Sequence, residues 1–356
     1  MPARPPILAI VGATGTVGRE MLDILASRDY PAGAVRLFAS KRSAGSTIAY
    51  CDESITVNEL TAGALEGVDI ALFSAGSEVS RRFAPPAAAS GVVVIDNSSA
   101  FRMEPEVPLV IPEVNGGILE RGDGTGGCII ANPNCSTIIL LMALTPIQRA
   151  FGIKRIIVST YQAASGAGAA AMRELSDQSA DVLAGRDARP VVFHEPCAFN
   201  VFSHNTKVDP ATGRNVEEQK MIEETRKIWR DEQVAISTTC IRVPVLRAHA
   251  ESINVELHRA ASEARFRAAL TDFPGLTIVD DRGSNDFPTS LKAAGGDDVL
   301  VGRIRPDASL PREDRGGETA HFGFDLFAAG DQLRKGAALN AIQIMDLVRQ
   351  RVTSAV

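Results

Sequence analysis

The chain has 356 residues, enough for two domains with substantial cores and no need of disulfide staples. Hydrophobic residues make up 45% and charged residues 22%, a balance that excludes a disordered chain. With 37 basic against 43 acidic residues the formal net charge is −6, and no dense basic stripe occurs, so a small molecule is a better partner than nucleic acid or an anionic membrane. The apolar run 138–144 is far too short to span a bilayer, and the Pro-rich start 1–6 lacks the apolar core of a signal peptide; no membrane partner and a cytoplasmic location are expected. Five cysteines, scattered and without a C-x-x-C pair, suggest neither a disulfide framework nor a zinc site, and no metal is expected.

Residues 7–11 read as a buried strand. Val17, Met21, Ile24 and Leu25 then recur at helical spacing with Arg19, Glu20 and Asp23 opposite, which predicts a crossover helix. Further short apolar runs at 35–38, 68–73, 92–95 and 128–131 complete a βαβ pattern and hence a parallel sheet. Beyond about residue 135 the period changes to two. Ile253, Val255 and Leu257 alternate with Ser252, Asn254 and Glu256, and Phe322, Phe324 and Leu326 with Gly323 and Asp325. Such strands bury one face, as in a mostly antiparallel sheet backed by helices. Residues 280–298 and 305–317, rich in Gly, Pro and charge, read as surface loops. Residues 332–352 read as a helix with Ala338, Ala341, Ile342, Met345 and Val348 on one face. The expected fold is α/β: a Rossmann-type doubly wound domain over 1–133, completed by the C-terminal helix 332–356, and an α+β domain with a mostly antiparallel sheet over 134–331.

Gly12-Ala13-Thr14-Gly15-Thr16-Val17-Gly18 lies between the first strand and the first helix. There, glycines allow a tight turn and bring backbone N–H groups against a pyrophosphate at the positive end of the helix dipole. A glycine pattern alone is a weak signal; this placement strengthens it. An NAD site usually carries an acidic residue about 20 positions further on, for the ribose 2′-hydroxyl. No acidic residue occurs between Tyr30 and Cys51, where Ser40-Lys41-Arg42-Ser43 follows the second strand. Arg and hydroxyl groups suit a 2′-phosphate, so the cofactor is read as NADP.

Asn134-Cys135-Ser136 ends a strand and precedes an apolar helix, which places Cys135 in the first turn with Asn134 as N-cap. A helix start stabilises a thiolate and an oxyanion formed beside it. Cys51, Cys128, Cys197 and Cys240 read as inert small hydrophobes. Gln162 follows the strand 153–160 and precedes Ser165-Gly166, a stretch that reads equally well as a plain connector. Arg242 and His249 close another strand; a histidine would be the natural proton partner of a nucleophilic cysteine, although a lone histidine is more often packed. Glu217 and Lys220, three apart on a helix, read first as a surface ion pair, and Arg102 as a loop arginine able to grip a phosphate.

The glycine pattern, Asn134-Cys135-Ser136, Gln162 and the seven-residue step from Arg242 to His249 together resemble the aspartate-semialdehyde dehydrogenases, in order along nearly the whole chain. The resemblance implies that Cys135 is the nucleophile, His249 the acid/base catalyst and Gln162 the residue that orients the covalent intermediate. It implies Arg102 and Lys220 for the phosphate, Arg242 for the substrate α-carboxylate and Glu217 for the α-amino group. Thr14 to Val17, Ser40, Arg42, Ser43, Ser165, Gly166 and Asn340 would contact NADP. The implied reaction is NADPH-dependent reductive dephosphorylation of L-β-aspartyl phosphate to L-aspartate 4-semialdehyde in amino-acid biosynthesis, by a homodimer or homotetramer. N-acetyl-gamma-glutamyl-phosphate reductase is the nearest alternative, but its cysteine is typically preceded by Gly where this chain has Asn134. A cysteine hydrolase or acyltransferase leaves the glycine pattern unexplained. A non-catalytic NADP sensor leaves the catalytic groups unexplained.

Overall fold

The computed structural model describes residues 5–121, 127–315 and 317–354. Parts of the Pro-rich start, the loop 305–317 and the C-terminal helix (residues 1–4, 316, 355 and 356) lie outside the described residues. The chain divides into two compact units, Met1–Asn134 with Ala337–Val356, and Cys135–Gly336.

The described residues of the first unit form a seven-stranded sheet from β1 (Leu8–Val11), β2 (Val35–Ala39), β3 (Thr47–Tyr50), β4 (Glu53–Glu59), β5 (Ile70–Phe73), β6 (Val93–Asp96) and β7 (Cys128–Ala131), in the order β3-β4-β2-β1-β5-β6-β7. All neighbours are parallel except β3 and β4. β1 and β5 are buried along their whole length, so their sequences are unbroken apolar runs. The hairpin of β3 and β4 escapes the sequence reading because its alternation is short, with Ile48, Tyr50 and Val57 buried between exposed neighbours; it turns through Cys51 at φ 50°. The α-helix Leu339–Ser354 lays Ile342, Ile344 and Met345 into the same core as Leu8, Ile10 and Met21. It starts later than the expected 332, because residues Arg334–Ala338 wind as a wider π turn.

The described residues of the second unit form an eight-stranded sheet from β8 (Ile153–Gln162), β9 (Phe202–Ser203), β10 (Ala235–Arg242), β11 (His249–Ala261), β12 (Leu276–Ile278), β13 (Val299–Pro306), β14 (Arg312–Arg315) and β15 (Glu318–Gly330). The order is β12-β13-β15-β11-β8-β10-β9, with β14 on β15. Pairing is antiparallel apart from β8 with β10 and β12 with β13. Neither expected loop is wholly irregular: Ser290–Ala293 is a helical turn, Arg305 and Pro306 finish β13, and Arg312–Arg315 is an edge strand whose polar sequence lacks any alternation. The helix Cys135–Phe151 is buried almost all round, packing on β11, β13 and β15, and its sequence is accordingly apolar on every face.

Register sets the site. Arg242 pairs with Gln162 across β10 and β8, while Thr160 lies opposite both Cys240 and Glu251. The ends of β8 and β10 and the start of β11 therefore meet at one edge of the sheet, with a row of Cys240, Thr160 and Glu251 directly behind.

Glu251 is fully buried and neither carboxyl oxygen has a hydrogen-bond partner. Burial raises its pKa well above the usual carboxyl value. A folded state that holds this proton more tightly than the unfolded chain loses relative stability as pH rises from the unfolded value toward the folded one. Glu251→Gln, which stays neutral throughout, is expected to melt higher than the parent at pH 8, with the difference shrinking toward pH 4.5. Thermal unfolding across that range checks it; a difference independent of pH contradicts it.

Candidate active site

Cys135 opens its helix and is half-buried. Cys197 and Cys240 are buried, and burial pushes both thiols up, away from thiolate. Cys51 and Cys128 are exposed rather than packed as small hydrophobes, which corrects the sequence reading at those two positions. Cys135 interacts electrostatically with Arg242, and each charge favours the other. A helix start and a buried cation thus act on one sulfur.

Gln162, at the end of β8, is 1% exposed. Its amide nitrogen donates to Ser136 Oγ at 3.0 Å and Thr160 Oγ1 at 3.2 Å, which ties the residue beside Cys135 to the strand end. The next residue, Ala163, donates its backbone N–H to His249 Nδ1 at 3.0 Å. Because Nδ1 accepts, the hydrogen of the neutral ring sits on Nε2, which is buried without a partner. Burial, reinforced by Arg242, lowers the His249 pKa to about 3, so the ring is neutral at physiological pH. A Cβ on Gly166 would come within 3.1 Å of this imidazole; glycine there leaves room for the ring.

Arg242 is 2% exposed. Its Nη1 donates to the Ala163 carbonyl at 2.6 Å, and its Nη2 to His204 Nε2 at 2.8 Å and Asn205 Oδ1 at 2.9 Å. Nε is buried without a partner. The end-on fork expected to be open for a carboxylate is thus already engaged by the protein, and the unpartnered donor is Nε–H. Sequence reasoning missed His204 and Asn205. The run His204-Asn205-Thr206 offers three hydrogen-bonding side chains, but its spacing does not point to Arg242.

Glu217 and Lys220 sit in the first turns of the helix Val216–Trp229, whose start is fixed by a capping box between Asn215 and Glu218. They form an ion pair at 3.2 Å with side-chain exposures of 6% and 26%, so the surface-pair reading gives way to a largely buried one. The Glu217 N–H reaches Thr206 Oγ1 at 3.3 Å, next to His204 and Asn205. Cys135, Gln162, His249, Arg242, Glu217 and Lys220 are thereby linked within the second unit. Ser165 belongs to the same turn, but it is buried and its hydroxyl accepts from Gln332.

In the first unit, Gly12 adopts φ 90° and a Cβ there would lie 2.8 Å from the Ser74 carbonyl oxygen; at Gly18 it would lie 2.4 Å from that of Gly12. The helix Thr16–Ala26 that follows has no side-chain cap and no acidic residue in its first turn. Its N–H groups and dipole suit the pyrophosphate of a dinucleotide. Thr14, Thr16 and Val17 are partly exposed and Gly15 is exposed; Ser40 and Arg42 are exposed at the end of β2, with Ser43 partly so. These residues fit a nicotinamide dinucleotide with a 2′-phosphate. Asp96 accepts from Ser80 and Ser98 and so braces the turn leading to Arg102. The Arg102 guanidinium is held on the carbonyls of Asn132 and Asn97. Asn340 is fully buried, and its amide nitrogen donates to the Val110 carbonyl and to Asn132 Oδ1.

Among the described residues no helix is long and apolar enough to cross a membrane, and no group of metal-ligating side chains comes together. Residues 7–120 match the family described as semialdehyde dehydrogenase, NAD binding domain, and residues 144–335 the semialdehyde dehydrogenase dimerisation domain. The aspartate-semialdehyde dehydrogenase of Synechocystis sp. is 46% identical over 98% of both chains. That of Aquifex aeolicus is 44% identical over 96% of this chain and 97% of its own. The crystal structure of aspartate semialdehyde dehydrogenase II from Vibrio cholerae, complexed with ASA, superposes with a TM-score of 0.90 at 41% identity, covering 98% of this chain and 99% of that one. This chain, with both units matched and 98% of its length aligned, belongs to the aspartate-semialdehyde dehydrogenase family.

Proposed function

We propose that this chain reduces L-β-aspartyl phosphate to L-aspartate 4-semialdehyde, reversibly, through a thioester on Cys135, with NADP as the coenzyme. The observation that carries this reading is the half-buried Cys135 thiol at a helix start, under the influence of the buried Arg242 guanidinium.

The Cys135 thiolate attacks the acyl carbon, and the carbon–oxygen bond to phosphate breaks with its electron pair leaving on phosphate, which takes up one proton from solvent. A thioester replaces a carboxylate, which is a poor hydride acceptor. A bound reduced nicotinamide supplies the hydride to that carbonyl. The resulting alkoxide re-forms the carbonyl and expels the thiolate of Cys135. Since the thiolate is present at the start and regenerated at the end, neither step needs His249 to remove a proton. Its Nε2–H instead donates to the oxygen that carries the developing charge, a task that suits a neutral imidazole. Service as a base would require the hydrogen on Nδ1, at the loss of the Ala163 N–H bond. Gln162, with its amide nitrogen engaged, holds the cysteine turn against the strand end and so orients the covalent intermediate.

For the substrate's charges, Arg242 is assigned the α-carboxylate and Glu217 the α-amino group. Lys220 is assigned the phosphate, and Arg102, in its own unit, is likewise a cation for phosphate. The exposed Ser40, Arg42 and Ser43, with no acid between Tyr30 and Cys51, support NADP over NAD. Assembly as a homodimer or homotetramer through the second unit agrees with the description of the family matched there.

Following NADPH absorbance with aspartate semialdehyde and phosphate tests the reading: the parent forms NADPH, and Cys135→Ala forms none while still binding NADP. Equal use of NAD and NADP contradicts the role given to Ser40–Ser43. Arg242→Lys keeps the charge but cannot hold the Ala163 carbonyl, His204 and Asn205 in one plane, so kcat/KM for the semialdehyde is expected to fall about 100-fold. A value near the parent's removes Arg242 from the site.

A further inference from the structure

Resting on the reading of Arg242 as the carboxylate clamp, the geometry points to His204 as a positioning residue that sets the preference for aldehydes bearing an α-carboxylate. A guanidinium is a rigid planar fork, so its fixed partners determine which edge remains for a ligand. Here Nη1 is turned to the Ala163 carbonyl, Nη2 is shared by His204 and Asn205, and Phe193 covers one face with its ring centroid 5.2 Å from Cζ. The buried, unpartnered Nε–H defines the edge left over.

What holds Arg242 in this pose is neutral. His204 accepts from Nη2 through Nε2, so its own hydrogen lies on Nδ1, which pairs with Thr206 Oγ1 at 3.2 Å. Burial lowers the pKa of His204 to about 4; Glu217 opposes this, and Arg242 and Lys220 add to it. His249 of β11 also faces it electrostatically and is neutral as well. An aspartate or glutamate at position 204 would grip the guanidinium at least as firmly. It would also neutralise the charge that the substrate's carboxylate must find. Imidazole and amide acceptors fix the fork and leave its charge available.

The test compares L-aspartate 4-semialdehyde with its decarboxylated analogue 3-aminopropanal, using NADP and phosphate, in the parent and in His204→Gln, His204→Glu and His204→Ala. The readout is the ratio of kcat/KM for the two aldehydes. His204→Gln, a neutral acceptor, keeps the ratio within about threefold of the parent's. His204→Glu and His204→Ala lower it about tenfold, the loss expected when a charged hydrogen-bonding partner is disturbed. A purely structural role would let His204→Glu behave like His204→Gln. The proposal is overturned if the ratio in His204→Glu stays within about threefold of the parent's, a result that stands whether or not His204→Ala folds. A parent that forms no NADPH from aspartate semialdehyde overturns the enzymatic reading itself, which is a separate outcome.

Discussion

One buried cation organises the catalytic half of this molecule. Taking a guanidinium out of water is costly unless its donors are satisfied, so the groups around Arg242 are constrained by its requirements. The Ala163 carbonyl faces its Nη1, and the same residue's N–H faces His249. The turn after β8 therefore orients guanidinium and imidazole together. Gln162, one residue earlier, reaches to Ser136 and fixes the start of the helix that carries the cysteine. Displacement of the guanidinium would propagate to each of these groups.

The surroundings of that cation are chosen for neutrality. Both histidines within its field are held uncharged, His249 with its pKa near 3 and His204 near 4. Glu251, in the row behind, is also driven toward its uncharged form. The principal counter-charge is Glu217, itself paired with Lys220. Positive potential is thus left over beside the Cys135 sulfur, in a setting where water does little to screen it.

Much of this was legible in the residues. The apolar runs of β1, β2, β5, β6 and β7 announce a parallel sheet because strands covered on both faces admit little else. Cys135 stands out because a strand end, an asparagine and an apolar helix adjoin it in sequence. The β3–β4 hairpin shows only a brief alternation around Ile48, Tyr50 and Val57, and the wholly polar edge strand β14 leaves no such trace. The spacing of Asn340 in its helix says nothing of the Val110 carbonyl and Asn132 that engage its amide. His204 and Asn205 were invisible for a related reason: their importance arises only when β9 pairs beside β10 and brings that loop to Arg242.

The central claim is that Cys135 is a thiolate at working pH. Its most direct test is the rate of alkylation by iodoacetamide at Cys135 as a function of pH, resolved by peptide mass spectrometry on the folded protein. The rate is expected to reach half its maximum well below the ~8.5 of a free thiol. A midpoint at or above that value would contradict the account.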